Sequence, residues 1–277
     1  MSSTSDGMTN DKPDGQVSSN EDEPVLVQLS AQGVLTLTLN RPEQFNSLSQ
    51  SMLSALQAAL DGMDDSVRVV VIAAHGRAFC AGHDLREMRA NIDEQWQRAL
   101  FRQCSKVMQT LIDIPQPVIA KVQGVAAAAG CQLVANCDLA VAAEDASFGV
   151  SGINLGLFCS TPSVALTRNL SRKRAFQMLM SGEYISARTA VDWGLLNDSV
   201  PLESLDAAIE NWCKTICAKP CVAVSTGKRL FYAQIEQPLS EAYELAGEAM
   251  ACNMMAEDAS EGIDAFFEKR PPNWTHR

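Results

Sequence analysis

Residues 68–74 read Arg-Val-Val-Val-Ile-Ala-Ala, an apolar run that carries no polar residue after its first position. Side chains of a strand alternate between its two faces, so a run like this one has to be buried on both. A parallel sheet covered by helices on each side meets that demand; a hairpin sheet with one wet face does not. Val118–Val122 and Asp138–Ala142 are further short buried strands, the first set off by Ile114-Pro115-Gln116-Pro117. Between these strands lie helical stretches. Ser49 is placed as N-cap of a helix over residues 50–63, with Met52, Leu53, Leu56 and Leu60 on one side, and a long helix is expected over about 93–112. Val25–Leu29 and Val34–Leu39 read as two strands about a turn at Gly33. Strands and helices alternating in this way point to βαβ units. From Thr161 onward the chain reads as almost entirely helical, over 162–170, 172–181, 186–193, 202–218, 221–233 and 238–256.

This organisation divides the chain into an acidic tail over 1–24, an α/β core over 25–200 and a helical region over 201–277. With 277 residues, 47% of them hydrophobic, one large core or two modest ones can be filled. No apolar run reaches 18 residues, which argues against a membrane span. The net charge of −11 argues against nucleic acid as a partner, since phosphates are held by cations. The small basic cluster Arg168, Arg172, Lys173 and Arg174 reads as an exposed helix end rather than an RNA site. The tail holds six acids against Lys12 alone and almost no apolar residue, so it is expected to be disordered. It resembles neither a signal nor a transit peptide, and the expected location is cytoplasmic. The nine cysteines are expected to be reduced, with Cys213, Cys217 and Cys221 stacked on one helix face and no metal held.

Catalytic side chains are sparse. There are three histidines, and His75 reads as a solvated turn residue. No GxSxG, HExxH, P-loop or GxGxxG pattern is present. Two loops stand out. Phe79-Cys80-Ala81-Gly82-His83-Asp84 and Gly124–Gly130 both follow buried strands, and the second opens a helix. Helix N-termini carry unpaired N–H groups, so two such loops at neighbouring strand ends can aim two donors at one oxygen. Such an oxyanion hole is worth about 3 kcal/mol per donor in a transition state. Plain packing of small residues is the other reading of the same loops.

At these loops the sequence resembles the crotonase superfamily, the enoyl-CoA hydratase/isomerase family. The matching pieces run in order from Leu39-Asn40-Arg41-Pro42 and Asn46-Ser47-Leu48 through Arg77–Leu85 and Gln123–Cys131 to Cys137-Asp138, Phe148-Gly149, Ile153–Gly156, Ile185-Ser186-Ala187 and Gly194-Leu195. The resemblance implies an α/β spiral of ββα units with a helical C-terminal trimerisation region, assembled as a homotrimer or a dimer of trimers. It implies an acyl-CoA thioester as partner, with coenzyme A arriving as part of the substrate and no permanently bound cofactor. The carbonyl donors it implies are the backbone N–H groups of His83 and Ala129. Gly130, Phe158, Cys159, Ser160 and Thr161 would line the substrate, and Ala81, Asp84, Leu85 and Lys269 would hold the coenzyme.

The departures from the family pattern bear on the reaction. Family members usually carry Gly at position 129 and Ala or Ser at position 83. A hydratase of this family positions and activates water with two glutamates, and here those positions are Gln132 and Gly152. Glutamine holds a water but takes no proton. A second isomerase branch has its glutamate where this chain has Phe158, Cys159 and Ser160, and no carboxylate lies between Asp145 and Glu183. The expected activity is of the enoyl-CoA hydratase/isomerase type without the usual proton carriers. The alternatives are a catalytically silent acyl-CoA-binding protein, or thioester hydrolysis or decarboxylation by the oxyanion hole alone. Cys159 at a helix start could be a nucleophile of lowered pKa, but a helix capped by Ser160 or Thr161 with Pro162 first is the favoured reading.

Overall fold

A computed structural model of the chain describes residues 22–276. Of the tail, only Asp22–Pro24 falls among them. Their carbonyls accept from Arg41 and from the backbone and side chain of Asn40. Residues 1–21 of the expected disordered tail lie outside the described residues.

The core is a stack of strand pairs, each followed by one or more helices. The first strand of each pair, β3 (Val69–Ala74), β5 (Val118–Val122) and β7 (Leu139–Ala143), lies in a six-stranded sheet. The second, β4 (Ala78–Cys80), β6 (Val125–Ala127) and β8 (Ser147–Gly149), lies in a four-stranded sheet. β1 (Val25–Leu29) and β2 (Val34–Leu39) open the large sheet, and β10 (Asp198–Val200) closes it; β9 (Tyr184–Ser186) closes the small one. All pairings are parallel except β1 with β2 and β8 with β9. This is the expected spiral of ββα units.

The alternation within β3 accounts for the run that opened the reading. Val70 and Ile72 face the main core. Helices α1 (Gln50–Asp61) and α3 (Glu94–Asp113) enter the same core through Met52, Leu53, Leu56, Leu100, Val107 and Leu111. Val69 and Val71 face the other way, against Leu205, Ile209 and Cys213 of α8 (Leu205–Cys217). The helix starts are those the sequence marks: Ser49 accepts from the N–H of Met52, and Asp93 from that of Trp96.

Several expectations change. Phe79–Asp84 is not all loop, since Phe79 and Cys80 belong to β4 and Asp84 caps the short helix α2 (Leu85–Ala90). The chain beyond Thr161 is almost entirely helical as expected, with α5 (Ser160–Asn169), α6 (Arg172–Ser181) and α7 (Ala187–Trp193), and the short strands β9 and β10 fall before and after α7. Cys213 and Cys217 share α8, but Lys219-Pro220 ends that run, and Cys221 begins a new helix, α9 (Cys221–Ile235). After α10 (Leu239–Asn253) comes a further helix, α11 (Glu257–Glu268). No helix among the described residues is long and apolar enough to cross a membrane.

Candidate active site

β4, β6 and β8 are neighbours in the small sheet, in register Cys80 with Ala126 and Ala127 with Gly149. Their C-terminal ends therefore bring three segments together: Ala81–Asp84, Ala128–Gln132 and Val150–Gly152. Crevices at the carboxyl ends of parallel strands are where α/β sheets bind ligands.

The first two segments touch. Gly82 has φ +90, and a methyl group on its Cα would stand 2.9 Å from Ala128 Cβ, 3.0 Å from Ala127 O and 3.1 Å from Ala129 N. Only glycine gives both that backbone conformation and that approach. One residue on, Gly130 presses on β4 so closely that a methyl there would stand 2.1 Å from Cys80 O. Between the two glycine contacts lies Ala128, with φ 48 and ψ −115, a conformation that side chains with a Cβ rarely adopt. Its own N–H donates to Gly149 O at 2.8 Å, and its carbonyl accepts from Gln132 N at 3.0 Å. These bonds fix the peptide that presents the N–H of Ala129 at the start of helix α4 (Ala129–Asn136).

His83 is set by a different contact. Leu48 N donates to Gly82 O at 2.7 Å, and Leu48 bridges His83 in parallel. The imidazole Nδ1 lies 3.2 Å from Leu48 O, and the ring meets Phe101 of α3 edge-on at 5.3 Å. Burial pushes its pKa below the usual 6.5, a shift that the contact with Leu48 O opposes. Among the described residues, neither the N–H of His83 nor that of Ala129 donates to a protein acceptor.

The two positions that the resemblance assigns to glutamates differ in kind. Gln132 is buried on α4, and its Oε1 has no partner. Gly152 lies in a 3₁₀ turn over Ser151–Leu155. The space a side chain would enter there is filled, with Cys159 Sγ 2.7 Å and Leu157 O 2.8 Å from the position of a Cβ. Cys159 is buried, and burial raises its pKa, against a smaller lowering by the backbone of Gly152. An activated thiolate at this helix start is therefore not what the structure presents. The capping expectation also changes. Cys159 itself holds the N-cap position of α5 without a side-chain cap, Ser160 Oγ donates back to Phe158 O at 3.3 Å, and Pro162 is the third helical residue. Phe158 and Leu157 are half exposed and form an apolar lip beside this turn.

The residues expected to hold the coenzyme are only partly grouped. Ala81 donates its N–H to Phe45 O at 3.0 Å, and the residue is exposed at the loop. Asp84 caps α2, accepting from Arg86 N at 2.9 Å and Glu87 N at 3.0 Å, and Leu85 beside it is exposed. Lys269 is the left-handed C-cap of α11, and no polar contact joins it to the Ala81 loop. The contacts that sequence reasoning did not single out are those of Leu48, Gly82, Ala128 and Asn46. Asn46 is fully buried; it accepts from Arg41 N and donates to His75 O and Ala78 O, so that Leu48 meets the loop after β4. His75 is exposed and pairs with Asn40 Oδ1. Among the described residues no group of three His, Cys, Asp or Glu is placed to hold a metal ion.

The sequence profile of the family described as enoyl-CoA hydratase/isomerase matches residues 30–277. The chain belongs to that enoyl-CoA hydratase/isomerase family. The Xenopus laevis protein named enoyl-CoA hydratase domain-containing protein 3, mitochondrial, is 42% identical over 255 residues, which are 91% of this chain and 87% of its own. A solved enoyl-CoA hydratase of Mycobacterium smegmatis superposes with a TM-score of 0.90 at 55% identity, covering 91% of this chain and 98% of that one. The human enoyl-CoA hydratase domain-containing protein 3 superposes with a TM-score of 0.88 at 42% identity, covering 91% and 100%. The fold of this family member is accordingly the crotonase fold.

Proposed function

We propose that this family member binds an acyl-CoA thioester and polarises its carbonyl with the N–H groups of His83 and Ala129. The observation that carries the reading is the contact of Gly82 with Ala128 and Ala129 beside two unspent amides. Coenzyme A enters as part of the substrate, held along the backbone at Ala81 and the Asp84–Leu85 turn. The acyl group extends past Gly130 towards Phe158, Cys159, Ser160 and Thr161. Lys269 reaches a coenzyme phosphate only if assembly brings α11 to a site.

Replacing Ala129 with proline would delete one donor, but it would also force Ala128 out of its φ and ψ. The ligand is therefore the better thing to alter. Crotonyl-CoA should raise the melting temperature, and a butyl-CoA thioether, which lacks the carbonyl oxygen, should bind about tenfold more weakly or worse. At a hundredfold excess over its Kd a ligand stabilises by about 2.7 kcal/mol, which a thermal scan resolves. Equal affinity for thioester and thioether would sink the two-amide reading. Failure of every CoA compound to shift the melt would sink coenzyme binding altogether.

A catalytically silent acyl-CoA-binding role is favoured by one specific observation: the second glutamate site is not merely vacant but filled by Cys159 Sγ. Product analysis after incubation with crotonyl-CoA separates that role from hydration, thioester hydrolysis and decarboxylation. We further assign a trimer, or a dimer of trimers, to the apolar faces of the C-terminal helices. The relatives' names place those proteins in mitochondria, against the cytoplasmic expectation; imaging of the tagged chain decides between the two addresses.

A further inference from the structure

Two buried polar atoms on residues of these loops, His83 Nε2 and Gln132 Oε1, have no protein partner among the described residues. Three other buried amide oxygens share that state, but each belongs to a side chain whose nitrogen already donates to a backbone carbonyl. His83 is different in kind. Its Nδ1 faces Leu48 O at 3.2 Å, and a carbonyl oxygen only accepts, so Nδ1 carries the ring proton. The neutral ring then leaves Nε2 as a bare lone pair, held in place by Phe101. A buried nitrogen left open in this way is met by a ligand or water when the site is occupied. The other acid–base candidates are missing or engaged. Gln132 takes no proton, Gly152 has no side chain, and the Asp84 carboxylate accepts from Arg86 N, Glu87 N and Ser47 Oγ.

We propose that His83 is the base of this site, with Nε2 taking a proton from C2 of the bound thioester. The inference rests on the thioester reading above. In the step, the C2–H bond breaks and its electron pair forms a double bond to C1. The carbonyl π pair moves onto the oxygen, where the N–H groups of His83 and Ala129 receive the charge. The proton becomes the second N–H of an imidazolium, and its return to C2 restores the thioester. No oxidant, reductant or co-reactant is consumed. One residue thus supplies both an amide for the oxygen and a base for the carbon.

The titratable groups on the elements packed around the ring do not compete for this proton. Asp84 is spent as the cap of α2, Glu87 accepts from Gln50 N, and Arg98 on α3 is paired with Glu94. Cys80, Cys104 on α3 and Cys131 on α4 are buried thiols pushed up to about 12.

The test is exchange at C2. The protein is incubated with butyryl-CoA in D2O, and deuterium gain in the acyl group is read by mass spectrometry. Wild type should exchange, while His83→Gln and His83→Asn should lose about a hundredfold or more of the rate. Both variants keep the backbone N–H, so butyryl-CoA should still raise their melting temperatures, which also reports that they are folded. Because the ring must be neutral to act and its pKa is lowered by burial, wild-type exchange should fall on the acid side, with its inflection below 6.5. Stabilisation of wild type by butyryl-CoA without exchange would overturn the assignment, as would wild-type exchange rates in the folded variants. Absence of stabilisation by every CoA thioester would instead break the thioester reading, and this inference with it.

Discussion

At the scale of single residues, the crevice depends on side chains that are small or absent. Ala128 is held at φ 48 and ψ −115 by the bonds to Gly149 O and from Gln132 N. Strain of that kind costs about 1–3 kcal/mol, and it persists here where it aims an amide. Gly152 carries the clearest residue-scale prediction. A glutamate there would meet Cys159 Sγ and the backbone carbonyl of Leu157, both inside 3 Å of its Cβ. Gly152→Glu should therefore lower stability by about 1–3 kcal/mol. Adding Cys159→Ala should recover part of that loss, because the sulfur goes and the carbonyl stays. For the same reason Gln132→Glu with Gly152→Glu should gain less hydratase activity than the triple variant with Cys159→Ala. Melting temperatures and loss of the enoyl absorbance of crotonyl-CoA check both statements. A Gly152→Glu variant as stable as wild type would show that the space is open after all.

At the scale of elements, α9 is fastened to the core by a buried ion pair. Lys228 Nζ lies 2.7 Å from Asp138 Oδ2 and also donates to Leu111 O and Gln116 O. Asp138 in turn accepts from Val118 N and Tyr232 OH. Burial lowers the Lys228 pKa and the carboxylate raises it again, so the charge is held by its partners rather than by water. Lys228→Met keeps the stem, strands Asp138, and leaves two carbonyls without their donor. It should cost about 3–5 kcal/mol, and the double variant with Asp138→Asn should cost less than the two single changes added together. Urea unfolding measures both; additive losses would mean that the two groups do not act as a pair. Nothing in the sequence pattern marks this clamp, because its members are separated by some ninety residues of chain. The elements themselves were legible in proportion to their length. β3 announces itself by a continuous apolar run, β5 by a short, largely apolar run set off by Pro115 and Pro117, and α1 by its cap and spacing. β4, β6 and β8 are three residues each, too short to show a period, yet they set the register of the crevice. The motif singles out positions 83 and 129, whereas the ring contact with Leu48 and the sulfur beside Gly152 join residues distant in the chain or brought together by a turn.

At the scale of the whole molecule, the C-terminal helices do not account for their own stability. α10 runs for 15 residues without burying one of them, and α9 buries only Lys228. Leu239 is 75% exposed and Tyr243 73% on α10, and Phe266 is 78% exposed on α11. A helix of that length is marginal in water by itself, so packing has to supply what this chain alone does not. Apolar surface on this scale marks an interface, and contact with further copies would bury it at about 25 cal/mol per Å². Light scattering should accordingly give about 90 kDa, or twice that, for a chain of 29.9 kDa. The melting temperature should rise with protein concentration. Tyr243→Lys with Met250→Lys puts two charges on the face of α10, and should yield a species of one chain whose helix content is reduced, since α10 then loses its packing. A wild-type protein that runs as a single chain with full helix content would overturn this account of the C-terminal region.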